Sequence, residues 1–174
     1  MLFRSVAEAE ALLAEVCGRL RVAPRVAPTP DKAALLRLAL NSSYTLPEDE
    51  AIHAAATDLE SVKIGAGGNL YPDHVIFLGN ALAIAAPDET AGDIESRHAD
   101  KPPMILFPGK GVLTRRDISA GAAAMARCLA DVAARIPEGA RLRYLTPAEN
   151  AELLGWDAEK YRQELNRRAG EALQ

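Results

Sequence analysis

Apolar residues in the first third of the chain recur at helical spacing, and those of the middle third gather into short continuous runs. From Ser5 onward, Val6, Ala9, Leu12, Leu13 and Val16 share one face, with Glu8, Glu10 and Glu15 mostly away from it, which predicts a helix that weakens at Gly18. The stretch RVAPRVAPTPD follows, with Pro24, Pro28 and Pro30. Each proline removes a backbone donor and restricts the residue before it, so this stretch reads as an extended connector. Asp31 is placed to cap a helix that runs through Leu40 and closes at Asn41, Ser42 and Ser43. Pro47 in a first helical turn, followed by Glu48, Asp49 and Glu50 near the positive end of the dipole, predicts a further helix carrying His53. Three helices are therefore expected before any strand.

The pattern changes at Gly65. Val75 to Leu78 and Ala81 to Ala85 are apolar runs separated by Gly79-Asn80, whose first member suits the positive φ of a tight turn, so an antiparallel pair is expected. The acidic segment from Asp88 to His98 reads as a helix, and Pro102-Pro103 resets the chain. Met104 to Phe107 is the next strand; it enters PGKG and then Val112-Leu113-Thr114, either as a second hairpin or as a strand-to-helix loop. The longest helix is expected from Arg116 to Ile136, stopped by Pro137-Glu138-Gly139, with small residues that permit close packing on a sheet. Leu142 to Leu145 reads as a short last strand. Thr146-Pro147-Ala148-Glu149 is a capping box with proline at the first helical position, and Asp157 restarts a helix after Gly155.

A chain of 174 residues holds one domain with a sizeable core, not two. The expected architecture is a single α/β domain: a small mixed sheet of about four strands flanked by helices. Residues 1–60 form a helical N-terminal part, 61–145 the sheet-containing core and 146–174 the C-terminal helices. Aromatic residues are only 5% of the chain, so the core must rest on Ala, Leu, Val and Ile.

With 20 basic against 24 acidic residues the net charge is −4, which offers no general attraction for phosphate backbones, and nucleic acid is not an expected partner. No apolar run approaches the roughly 18 residues of a membrane span, and the N-terminus is rich in Glu and Ala rather than basic and then apolar. The expected setting is the cytoplasm. Cys17 and Cys128 stand far apart without CxxC or Cys/His spacing, so both are expected to be small buried apolar residues and no metal is implied.

The candidate chemistry is sparse. His53 reads as an outer helix position or a core histidine with a satisfied nitrogen, and His98 as a solvated loop residue. His74 stands out because it follows Pro72-Asp73 and precedes an apolar run, where loops often carry functional side chains. The competing reading has Asp73 closing a turn on the backbone while His74 packs at a strand edge. Gly109, Lys110 and Gly111 form a second candidate: glycine N–H groups and a lysine, with Arg115 and Arg116 nearby, could cradle a phosphate. The alternative is a Pro-Gly turn between two strands with incidental cations; the loop is not a Walker motif. Ser61 and Ser119 have no triad partners. A metal site would need Glu95 or Asp117 beside Asp73 and His74, and nothing in the spacing asks for it. Leu153, Trp156 and Tyr161 at helical spacing read as core or interface.

LYPDHVIFLG, PGKGVLTRRDISAGAAAMARCLADV and LRYLTPAENAELLGWDAEKYR together resemble the C-terminal part of bacterial class II aldolase/adducin-like proteins, a resemblance extending from Ser5 to Arg168. In that family a zinc-dependent aldolase-type domain precedes the α/β extension and supplies the metal-binding histidines. No such histidine transfers onto a position of this sequence. The resemblance thus implies an auxiliary domain of carbohydrate metabolism, without cofactor or lyase activity of its own, whose partner is an aldolase-type domain or a second copy of itself. Lys110 departs from the apolar residue expected between the two glycines. The alternative is a binding domain or enzyme for a sugar phosphate or nucleotide, with Asp73 and His74 meeting Lys110, Arg115 and Arg116.

Overall fold

Met104-Ile105-Leu106-Phe107 (β3, Met104–Phe107) and the run after it (β4, Gly111–Arg115) face each other across Pro108-Gly109-Lys110 and pair antiparallel, Ile105 opposite Leu113 and Phe107 opposite Gly111. The computed structural model describes residues 5–19 and 22–155. β3 and β4 form the centre of a four-stranded mixed sheet in the order β1-β4-β3-β2. β1 (Tyr44–Thr45) joins β4 antiparallel, and β2 (Ala83–Ile84) joins β3 in parallel.

Every residue of β3 is buried. Successive side chains in a strand point to opposite faces, so an unbroken apolar run requires cover on both. One face sends Ile105, Phe107 and Leu113 into a cluster with Leu35 of α2 (Lys32–Leu38), Tyr44, and Ala91 and Ile94 of α6 (Ala91–Arg97). The other face sends Met104, Leu106 and Val112 against Ile52, Ala55 and Ala56, Leu78, and Ala126 and Leu129. Those residues belong to a 3₁₀ turn (Glu50–His53) running into α3 (Ala54–Thr57), to α5 (Pro72–Leu78) and to α7 (Ala120–Ala133). Completing the fold are α1 (Val6–Arg19), α4 (Leu59–Ala66) and α8 (Pro147–Gly155). No helix among the described residues is long and apolar enough to cross a membrane.

Several helices start where the sequence places a cap. Asp31 accepts the N–H of Ala34 at 2.8 Å, and Thr146 and Glu149 form the reciprocal box that opens α8. Four expectations change. Val75 to Leu78 is helix, not the first strand of a hairpin: Tyr71 is extended, Pro72 takes the first helical position where its missing donor costs nothing, and Gly79 at φ 93° ends the helix. Of the expected second strand only Ala83–Ile84 pairs, and it does so with β3. The helix expected from Pro47 begins at Glu50, because Asp49 supplies the cap by accepting the Ala51 N–H at 2.9 Å. Leu142 to Leu145 pairs with no strand among the described residues; a backbone bond runs from the Leu145 N–H to the Asn69 carbonyl at 2.9 Å.

β1 lies within residues 1–60, so that part is not wholly helical, and among the described residues two helices, α1 and α2, precede the first strand. α7 is shorter than Arg116 to Ile136, since Ser119 caps it and Ala134 closes it. Cys17 is exposed and Cys128 half-buried, because no residue of α1 is buried and Cys128 lies at the flank of α7. The helix expected from Asp157, with Trp156 and Tyr161, lies outside the described residues.

Candidate functional site

The PGKG turn is the tip of the β3–β4 hairpin. Gly109 adopts φ 74°, its N–H donates to the Ala56 carbonyl at 2.8 Å, and the Lys110 N–H donates to Phe107 at 2.9 Å. Two N–H groups that a phosphate cradle would present are thus already donated within the fold. The Lys110 carbonyl accepts the Asp31 N–H at 2.9 Å, which ties the tip to the start of α2.

Arg115 and Arg116 lie at the opposite end of β4. Four strand steps of about 3.4 Å put the backbone of Gly111 and Arg115 roughly 14 Å apart. Arg115 makes a bidentate pair with Asp117, 2.8 Å from Nε and 2.5 Å from Nη2. Hydrogen bonding to Asp117 holds the Arg115 pKa above its ordinary value and that of Asp117 below it. Arg116 is exposed, and its N–H donates to the Ser43 carbonyl at 2.9 Å.

Asp73 and His74 are adjacent in sequence and diverge in space. Asp73 is exposed in the first turn of α5, where the helix dipole favours a carboxylate. His74 is fully buried, with neither ring nitrogen hydrogen-bonded among the described residues, and burial pushes its pKa down to about 4. Its ring lies 5.6 Å from that of Tyr71, tilted by 46°. Tyr71 directs its hydroxyl at the Cys128 sulfur, 3.6 Å away, and burial raises its pKa well above the ordinary phenol value.

His53 is the core histidine that its apolar surroundings suggest: Nδ1 accepts the Val112 N–H at 3.1 Å, and burial lowers its pKa. His98 is exposed after α6. Glu95 accepts from the Ser43 N–H at 3.0 Å and hydroxyl at 2.8 Å and pairs with Lys101; the Lys101 and Ser43 contacts bring its pKa to about 2. Among the described residues no three His, Cys, Asp or Glu side chains gather to hold a metal ion.

The sequence candidates therefore fall in three places: the hairpin tip, the far end of β4, and α5. A feature that sequence reasoning missed adjoins the second. A cleft of about 560 Å³ opens between the segment after β1 and α7, lined by residues including Leu46, Asp49, Ile52, Arg116, Ala123 and Arg127. Arg127 spans its two walls, pairing with Asp49 at 2.8 Å while holding Asp131 at 2.8 Å on its own helix. No single motif signals this cleft, because its lining comes from two stretches, 45–52 and 114–127, more than sixty residues apart. Comparison with protein-family models, curated proteins and solved structures gives no match.

Proposed function

We propose that this chain is an auxiliary, non-catalytic domain of the class II aldolase/adducin-like type, serving carbohydrate metabolism in the cytoplasm. It works with a metal-dependent aldolase-type domain or with a second copy of itself. The observation that carries this reading is α1. None of its 14 residues is buried, yet Val6 is 75% exposed and Leu13 64%, with Val16 on the same face. An amphipathic helix gains most of its stability from covering that face, so α1 is suited to bury it against a partner. The catalytic part would be the partner's, since aldol cleavage needs a metal to polarise the carbonyl.

The test is association. Sedimentation of the purified chain, alone and mixed with a zinc-loaded aldolase-type domain from the same genome, should show a complex or a dimer that Leu13→Glu with Val16→Glu dissolves. A wild-type chain that stays monomeric in both experiments overturns the reading. So does cleavage of sugar phosphates by the chain alone.

A further inference from the structure

Among the charged groups lining the cleft between the segment after β1 and α7, one cation stands apart. Arg115 is neutralised by Asp117, and Arg127 is shared between Asp49 and Asp131. The Arg116 guanidinium has no hydrogen bond or ion pair among the described residues, although its backbone is fixed by the bond to Ser43. A free guanidinium presents two parallel N–H groups that match a carboxylate. The neighbouring surface is apolar: Leu46, Ile52, Ile118, Ala120, Ala123 and Ala124. The volume of about 560 Å³ falls within the range of small-molecule sites.

We infer that this cleft binds a small organic monoacid with an apolar body, its carboxylate on Arg116 and its hydrocarbon over Leu46, Ile52, Ile118 and Ala123. A polyol phosphate fits poorly, because each hydroxyl laid against these side chains loses a water partner without gaining another. A diacid fits poorly too. Arg116 precedes α7 and Ala120 opens it, whereas Arg127 lies about 10 Å further along the helix. The lining also carries two carboxylates, Asp49, paired with Arg127 at that far end, and Glu48 next to it in the chain. A second carboxylate would meet those negative charges. The start of α7 adds a weakly favourable potential at the Arg116 end.

Calorimetric titration of the full chain with octanoate, 1-octanol, suberate and glucose 6-phosphate tests this. Octanoate should bind at least about tenfold more tightly than the other three. Arg116→Gln should remove its advantage over 1-octanol, and Ala123→Phe, which fills the floor at a half-exposed position, should weaken both. Thermal melts of the two variants should match wild type, which separates loss of binding from loss of fold. The proposal is overturned if octanoate does not bind up to about 10 mM, if 1-octanol, suberate or glucose 6-phosphate binds as well, or if either variant with an intact fold binds octanoate as wild type does.

Discussion

Arg25, in the proline-rich connector, directs both Nε and Nη2 at Oδ2 of Asp58, at 2.9 and 2.7 Å, and so fastens the connector to the residue that caps α4. The same guanidinium donates to Ser61 Oγ at 3.2 Å and to the carbonyls of Ala133 and Ile136 at the end of α7. One side chain thus joins three segments.

Replacing Arg25 with Ala should remove about 2 kcal/mol, the scale of charge-assisted hydrogen bonds in a partly buried setting, and lower Tm by about 4–8 °C in calorimetry. Lysine, a single point of charge, should recover only part of the loss. Burial alone would raise the Asp58 pKa, but the bonds from Arg25 and Ser61 outweigh it and hold the value below normal. The stabilisation is therefore present above pH about 4 and fades as pH falls through the lowered folded value.

Gly111 and Gly109 should respond differently to substitution. Gly111 sits at φ 135°, and a Cβ there would lie 2.8 Å from His53 Nδ1 and 2.9 Å from Leu35 Cδ1. Gly111→Ala should unfold the protein several degrees earlier. Gly109, at φ 74° with nothing within 4 Å of an added Cβ, should tolerate Asn, a residue that visits the left-handed region readily. Equal melting temperatures for the two variants would contradict the account.

His74 should make the protein acid-sensitive. Its folded pKa of about 4 lies below the unfolded value of about 6.5, so the unfolded chain binds the proton first. Stability attributable to this group is unaffected above pH about 6.5, declines as pH falls toward 4 and is lost below it. His53 shifts the same way, so the measurement is a difference: urea titrations from pH 7 to pH 4 should show a shallower decline for His74→Leu than for wild type.

Much of the fold is legible in the sequence, and its misreadings share a cause. β3, the caps at Asp31 and Thr146, and the helix before His98 follow from local chemistry. Val75 to Leu78 misleads because four consecutive apolar residues have no period that separates strand from helix. Gly79 does adopt a positive φ, but as the end of a helix and not as a hairpin turn. β1 escapes notice because Tyr44-Thr45 is too short and polar to announce a strand, and only pairing with Arg115 and Thr114 makes it one. The candidate residues are identifiable by type, whereas their division between the two ends of β4 depends on the hairpin being formed.

Leu35 and Leu13 are chemically identical and should behave as opposites. Leu35 is fully buried between α2 and the sheet, so Leu35→Ala should cost about 2–5 kcal/mol. Leu13 faces solvent on α1, and Leu13→Ala should stay within about 0.5 kcal/mol in the isolated chain. Chemical denaturation of the two variants compares them directly.

The outermost strands of the sheet, β1 and β2, are two residues long each. An incoming polypeptide would find only one or two free backbone groups along either border, too few to template another strand. Such short borders guard the sheet against fibril-like growth, and they leave side chains on the helices and loops as the main means of contact with another chain.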